Sequence, residues 1–123
     1  MIVDGIAALI ALIHVYVFFL ESILWLKPKT MRLFAVTAEE ARINKVFAFN
    51  QGFYNLFLAI AILCGLLAIH VLGREEGRVL TDYGVASVGG AGLVLFFSAP
   101  RSRRAAYIQA VPALCYFLLR AAL

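Results

Sequence analysis

Glu21 and His14 stand seven residues apart in a predominantly apolar stretch of the chain that runs from residue 2 to residue 26. On a helix, that separation puts both side chains on nearly one face, about 10 Å apart along the axis. A carboxyl and an imidazole so placed are the parts of a general acid–base pair. A second polar set follows in Asn50-Gln51-Gly52-Phe53-Tyr54-Asn55, with Asn44 just before it. On a helix the polar members fall in a wedge of roughly 140°, leaving the other side apolar. Amides and a phenol in such a wedge can orient a substrate or stabilise developing charge. Tyr107 and Gln109, close to Pro112, supply a third set. The catalytic candidates are therefore Glu21 and His14, and the substrate-binding candidates are Asn50, Gln51, Tyr54, Asn55, Tyr107 and Gln109.

Glu21 is the most demanding of these, because a carboxyl inside an apolar helix must be paired, hydrated or protonated. No Lys or Arg lies within the inner two-thirds of any apolar stretch to pair with it. The amides have a plainer role open to them, hydrogen bonding across helices at about 0.6 kcal/mol each. Sharper chemistries fail on spacing. His70 and His14 stand at different depths, which excludes bis-histidine haem ligation. Zinc needs about four close ligands, and no cluster supplies them. Cys64 and Cys115 occur singly on different stretches and read as small apolar packing residues. Gly89-Gly90-Ala91-Gly92 lies inside an apolar stretch, without the preceding strand that a nucleotide-binding loop requires. Neither cofactor nor metal is expected.

The elements that must position these groups follow from composition. The chain has 123 residues, 64% hydrophobic and 15% charged, with a mean hydropathy of +0.95. That balance excludes a soluble domain and a disordered chain alike. Four stretches are long enough to cross a bilayer, approximately 2–26, 46–72, 79–98 and 105–123. None alternates as a barrel strand does. The fold expected is an all-α, polytopic four-helix transmembrane bundle forming one domain. The first stretch lacks a basic leader and a small-residue cleavage site, and it reads as a mature span rather than a signal peptide. Ala86 and Gly90 form a small-xxx-small pair suited to close packing of the third helix. Asp4 and Asp82, at span ends, read as solvated.

Basic residues set the orientation. Lys27, Lys29, Arg32, Arg42 and Lys45 lie in the first connection and Arg101, Arg103 and Arg104 in the third, whereas the opposite side has Arg74, Arg78 and Arg120. The imbalance places the first and third connections in the cytoplasm and both termini outside. Anionic lipid headgroups suffice as partners for these charges. Nucleic-acid binding would need basic residues interleaved with aromatics on one face, and it is not expected. In the connection of residues 27–45, Thr37-Ala38-Glu39-Glu40 fits a capping box. It predicts a helix starting near Ala38 and running unbroken through about residue 72.

The order of His14 and Glu21, the charged connection, Asn44-Lys45 and the run of residues 50–55 resembles a family of small bacterial integral membrane proteins catalogued as domain of unknown function 1304. The likeness covers essentially the whole chain, and its distinctive part spans residues 13–63. It implies four spans and a bacterial inner membrane, and it carries no activity. A looser architectural analogy is to emopamil-binding-type sterol isomerases, small helical bundles with an intramembrane acid, histidine and amides; such an analogy concerns fold alone.

With the inferred topology, Glu21 lies about five residues above the cytoplasmic end of its span, and residues 50–55 about four to nine above theirs, at one level. The expectation is an intramembrane polar pocket near the cytoplasmic side. It would bind a small lipophilic molecule or act on it by acid–base chemistry, as an isomerase, cyclase or hydratase could do without a cofactor. Glu21 should then face Asn50 or Tyr54, with His14 deeper in the same cavity. The alternatives are a proton-coupled transporter or channel working as a homo-oligomer, and an accessory subunit whose amides grip a partner's helices. A transporter needs polar groups reaching both faces, and the sequence offers the outer half only His70, Asp82 and Tyr83 at the rim.

Overall fold

In hydrocarbon each backbone N–H and C=O must be satisfied within its own segment, so an apolar stretch becomes a helix. The computed structural model, which describes residues 1–123, contains helices and no strand. The segments long and apolar enough to cross a membrane are Ile2–Ile23, Lys45–His70, Gly77–Ser98 and Pro100–Ala122. The first comprises α1 (Ile2–Phe18) and a π-helical turn (Phe19–Ile23), closed by Leu24 N–H donating to the Phe19 carbonyl at 2.9 Å. The others are α4 (Lys45–His70), α5 (Gly77–Ser98) and α6 (Arg103–Ala122), the last preceded by a 3₁₀ turn at Pro100–Ser102. Two short helices, α2 (Pro28–Leu33) and α3 (Ala38–Ile43), fill the first connection.

The four long helices alternate in direction. α1 packs on α4 and α6, and α5 packs on α4 and α6, so that α1 and α5 lie diagonally opposite. Their shared core is Ile10, Ile62, Val85, Val88 and Tyr116, with Ala7, Ala11, Ala59 and Ala113 between them. Small residues are needed here because lipid is as apolar as the helices, leaving close van der Waals packing to hold them together. The buried seam of α4 reads Ala48, Gly52, Asn55, Ala59 and Ile62, with Gly52 against Phe18 and Ser22 of the first span and Ile62 against Gly84 of α5. Between α4 and α5 the closest approach is at Gly65, where a Cβ would lie 2.7 Å from the Gly77 carbonyl oxygen and 2.8 Å from Thr81 N. The pair proposed from sequence for close packing, Ala86 and Gly90, faces outward instead, and Gly90 has nothing within contact distance. The α5 interface falls on Gly77, Thr81, Gly84, Val88 and Gly92, about half a turn away on the opposite face of the helix.

The first connection folds back on the bundle. Thr37 caps α3 with a complete capping box: Glu40 N–H donates to Thr37 Oγ1 at 3.1 Å, and Thr37 N–H donates to Glu40 Oε2 at 2.8 Å. That backbone donor holds the Glu40 carboxyl below its usual range, with Arg101 assisting. Trp25, just after the π turn, donates from Nε1 to the Ala41 carbonyl at 2.8 Å and packs with Ala48 and Phe34. The helix from Ala38 does not continue unbroken into the second span. It stops at Asn44, whose φ of −92° and ψ of 7° separate α3 from α4. Asn tolerates this bridge conformation well, and the Trp25–Ala41 bond holds α3 against the end of the first span.

Candidate functional site

The π turn is the local feature around which the polar contacts gather. A turn closed by i→i+5 bonds is rare in proteins and occurs disproportionately at functional sites. Glu21 projects from it and is 9% exposed. Across the interface, Asn55 is 7% exposed and donates from Nδ2 to Glu21 Oε2 at 2.7 Å. The same amide nitrogen donates to the Gln51 carbonyl at 3.1 Å, so both of its protons are committed to acceptors. One residue further along the turn, Ser22 Oγ donates to the Phe49 carbonyl at 2.8 Å. Gly52 makes this contact possible. A Cβ there would meet Ser22 Oγ at 2.0 Å, Ser22 N at 3.0 Å and the Phe18 carbonyl oxygen at 3.1 Å.

Glu21 has no cationic partner: each ion pair in the molecule involves another carboxylate. Its Oε1 accepts no protein hydrogen bond, yet it is not sealed off, since no fully enclosed polar atom lacks a partner. A carboxyl held at one oxygen by a neutral amide, with the other oxygen available, can donate a proton to a bound molecule or accept one from it.

His14 is 2% exposed, and its Nδ1 lies 2.9 Å from the Ile10 carbonyl one turn back on the same helix. A carbonyl only accepts, so Nδ1 carries the proton and Nε2 holds the lone pair. The hydrogen bonds of His14 and Glu21 thus go to different partners, and neither side chain bonds to the other. Of the six substrate-binding candidates, the structure brings only Asn55 to Glu21. Asn50 and Gln51 are exposed on α4, and Tyr54, expected together with Asn50 as a partner of Glu21, is 63% exposed. Tyr107 is also exposed and sits against the Phe96 ring at 5.5 Å between centroids. Gln109 is half-buried where α6 crosses Gly92 of α5.

A cavity of about 280 Å³ opens at the basic end of the bundle, lined by residues 34–36 and 99–102 with Glu40 and Asn44. Neither Glu21 nor His14 lines it. No three His, Cys, Asp or Glu residues converge to hold a metal ion.

The opposite end carries polar contacts that sequence reading missed. Asp4, whose side chain is 15% exposed, pairs with Arg78 of α5 and lies 3.2 Å from Nε2 of His70 on α4. Asp82 accepts from Tyr116 at 2.6 Å and from Arg120 Nη2 at 2.9 Å. Together these bonds link all four long helices, so Asp4 and Asp82 are ion-paired rather than simply solvated. Their spacing, Asp4 at one end of the first span and Arg78 at the start of the third, gives no local signal. Ser22 likewise went unnoticed; the clue was Gly52, a glycine opposite an otherwise bulky turn.

A family model described as "Protein of unknown function (DUF1304)" matches residues 8–120. Comparison with curated proteins and with solved structures gives no match.

Proposed function

The chain belongs to the DUF1304 family and is a multi-pass membrane protein, and on that premise we propose that it binds a small lipophilic molecule within the membrane, near its basic end, through Glu21 and Asn55. The observation that carries this reading is Glu21 itself. Placing a carboxyl in a spanning segment is costly, and an ion pair would be the usual remedy. Glu21 instead keeps one oxygen on a neutral amide and leaves the other without a protein hydrogen bond. Such a group exchanges a proton or a hydrogen bond with what approaches it from the bilayer, the elementary step of acid–base chemistry. His14 bonds to its own backbone rather than to Glu21, which favours binding, or single-residue proton transfer, over a two-residue relay. The lopsided distribution of Lys and Arg supports a cytoplasmic basic end with both termini outside, and the family resemblance implies a bacterial inner membrane.

One observation favours self-association as well. Asn50, Gln51 and Tyr54 point outward from a spanning helix. Polar side chains on a lipid-facing surface find partners more cheaply on a second copy than in hydrocarbon. Transport through a single copy is the weaker reading, because Ile10, Ile62, Val85 and Val88 fill the bundle between its two polar ends.

The test is to purify the wild type, Glu21→Gln and Asn55→Ala in parallel and identify co-purifying small molecules by mass spectrometry. The reading predicts a species retained by the wild type and lost from Glu21→Gln at equal yield of folded protein. Identical extracts from the two would sink it.

A further inference from the structure

The cavity at the basic end has walls of two kinds. Phe34, Val36 and Pro100 are apolar, whereas Asn44, Ser102 and Arg101 are polar. Arg101 reaches the Ala35 carbonyl and, at 3.4 Å, the Glu40 carboxylate, and both side chains of this ion pair are substantially exposed. A long, solvated pair of this kind holds weakly and exchanges readily. Glu40 Oε2 is also taken up by the Thr37 backbone N–H. Arg103 and Arg104 follow two and three residues on, so the turn between α5 and α6 carries three arginines. Arg103 is positioned 4.8 Å above the Phe96 ring, at the level where α5 ends. The first turn of α6 contains two of these arginines and no acid. That is the sign opposite to what the helix dipole favours, and an anion seated nearby reverses the penalty.

A second feature lies on the same helix. The last turns of α5 carry a surface groove of about 460 Å³ formed by Leu93, Val94, Phe97 and Ser98. Ser98 ends this groove, and the next residue, Ala99, lines the basic cavity. A basic, polar cavity where the spans stop, one residue along the chain from a shallow, open apolar groove on a spanning helix, has the order of a headgroup above its acyl chain. Basic pockets between spanning helices on the cytoplasmic side recognise lipid headgroups in this way.

We infer that this cavity and groove form a site for one anionic diacyl phospholipid. The phosphate sits on Arg101 with Arg103 and Arg104 beside it, the hydroxyls of the headgroup face Asn44 and Glu40, and an acyl chain lies along Leu93, Val94 and Phe97. The site differs from general attraction of anionic lipid to a basic surface in that it holds one molecule and depends on Arg101 in particular.

The experiment uses the purified chain in nanodiscs of phosphatidylcholine, with or without a minor fraction of phosphatidylglycerol. Native mass spectrometry counts retained lipid, and thermal unfolding gives the gain in midpoint on adding phosphatidylglycerol. The wild type is expected to retain one phosphatidylglycerol and to gain several degrees. Arg101→Gln should weaken retention about fivefold or more and lose most of that gain, and Phe97→Ala should weaken retention less. Arg120→Gln, at the opposite end, should keep both. Because Arg101 also ties Ala35 and Glu40, the quantity compared is each protein's gain on adding the lipid, whatever the substitution does to the fold itself. An equal gain and equal retention for the wild type and Arg101→Gln would overturn the site. So would inorganic phosphate producing the same gain in pure phosphatidylcholine, which would make the ligand a free anion.

Discussion

Asp4 and Glu21 are both carboxyls on the first span, and their surroundings differ in kind. Asp4 meets the Arg78 guanidinium and His70, and the neighbouring Asp82 is matched by Arg120 and Tyr116. Glu21 meets one amide and no cation. At the first end, opposite charges from α1, α5 and α6 neutralise one another in the Asp4–Arg78 and Asp82–Arg120 pairs, so that removing a partner strands a charge. At the second, the protein supplies only a hydrogen bond, so the carboxyl can be replaced by a neutral isostere with little disturbance. The comparison separates a carboxyl with charged partners across the bundle from one held by a neutral amide alone. On the reading proposed above, the second is kept for what it does for a ligand rather than for stability.

Backbone packing gives the largest expected difference between the two regions. In both Gly65→Ala and Gly52→Ala the nearest atom is a hydroxyl that can turn aside, but the methyl group of Gly65→Ala also meets the main chain of α5 at 2.7 and 2.8 Å, whereas that of Gly52→Ala meets main-chain atoms only at 3.0 and 3.1 Å. Overpacking of this sort costs about 1–3 kcal/mol. Equilibrium unfolding in detergent should place Gly65→Ala near the top of that range and Gly52→Ala near its lower half. The reverse order would mean that the π turn, rather than the α4–α5 contact, is the tighter joint.

Charge removal comes next. Arg78→Gln leaves Asp4 with only His70 and the amino terminus, and the loss should be about 2 kcal/mol, below the 3–5 kcal/mol typical of a fully buried pair because the rim is partly hydrated. Glu21→Gln, by contrast, keeps an oxygen to accept from Asn55, and its stability should stay within about 1 kcal/mol of wild type. A loss as large as that of Arg78→Gln would erase the distinction between the two ends.

The smallest effect is local and depends on pH. The Glu40 carboxyl titrates below its ordinary value of 4.5, chiefly because the Thr37 backbone N–H bonds to its charged form. Its contribution to the start of α3 is therefore present above the unfolded value and is lost as pH falls through the lower, folded one. NMR chemical shifts of residues 38–41 should report fraying on acidification in the wild type, and Glu40→Gln should lack that transition. Shifts that move identically in both proteins would remove Glu40 from the cap.

Much of the scaffold could be read from the sequence. The four helices follow from long apolar stretches that contain few charges, and the capping box at Thr37 and Glu40 is a local pattern that the structure reproduces bond for bond. Glu21 was conspicuous for the same reason that it is informative, a carboxyl where hydrocarbon should be. The choice among the amides was not legible from a wedge of roughly 140°, which is wider than a helix interface. The sharper signal was the seam of Ala48, Gly52, Asn55 and Ala59, at alternating spacings of four and three, which includes Asn55 and leaves out Asn50, Gln51 and Tyr54. The π turn inserts a wider turn after Phe18, and hydrophobic periodicity carries no mark of it. The break at Asn44 comes with Trp25 bonding to the Ala41 carbonyl from 16 positions away, and the Asp4–Arg78 pair joins residues 74 positions apart. Contacts of that kind exist only once the helices are assembled.

The most direct test puts Glu21→Gln and Arg78→Gln side by side in one lipid, measuring unfolding midpoint and co-purified small molecule on the same samples. The account predicts opposite profiles: Glu21→Gln keeps the wild-type midpoint and loses the bound species, while Arg78→Gln loses stability and its folded fraction keeps that species. A Glu21→Gln protein that is destabilised like Arg78→Gln and still carries the wild-type complement of small molecules would contradict it, and Glu21 would then be part of the bundle's own adhesion.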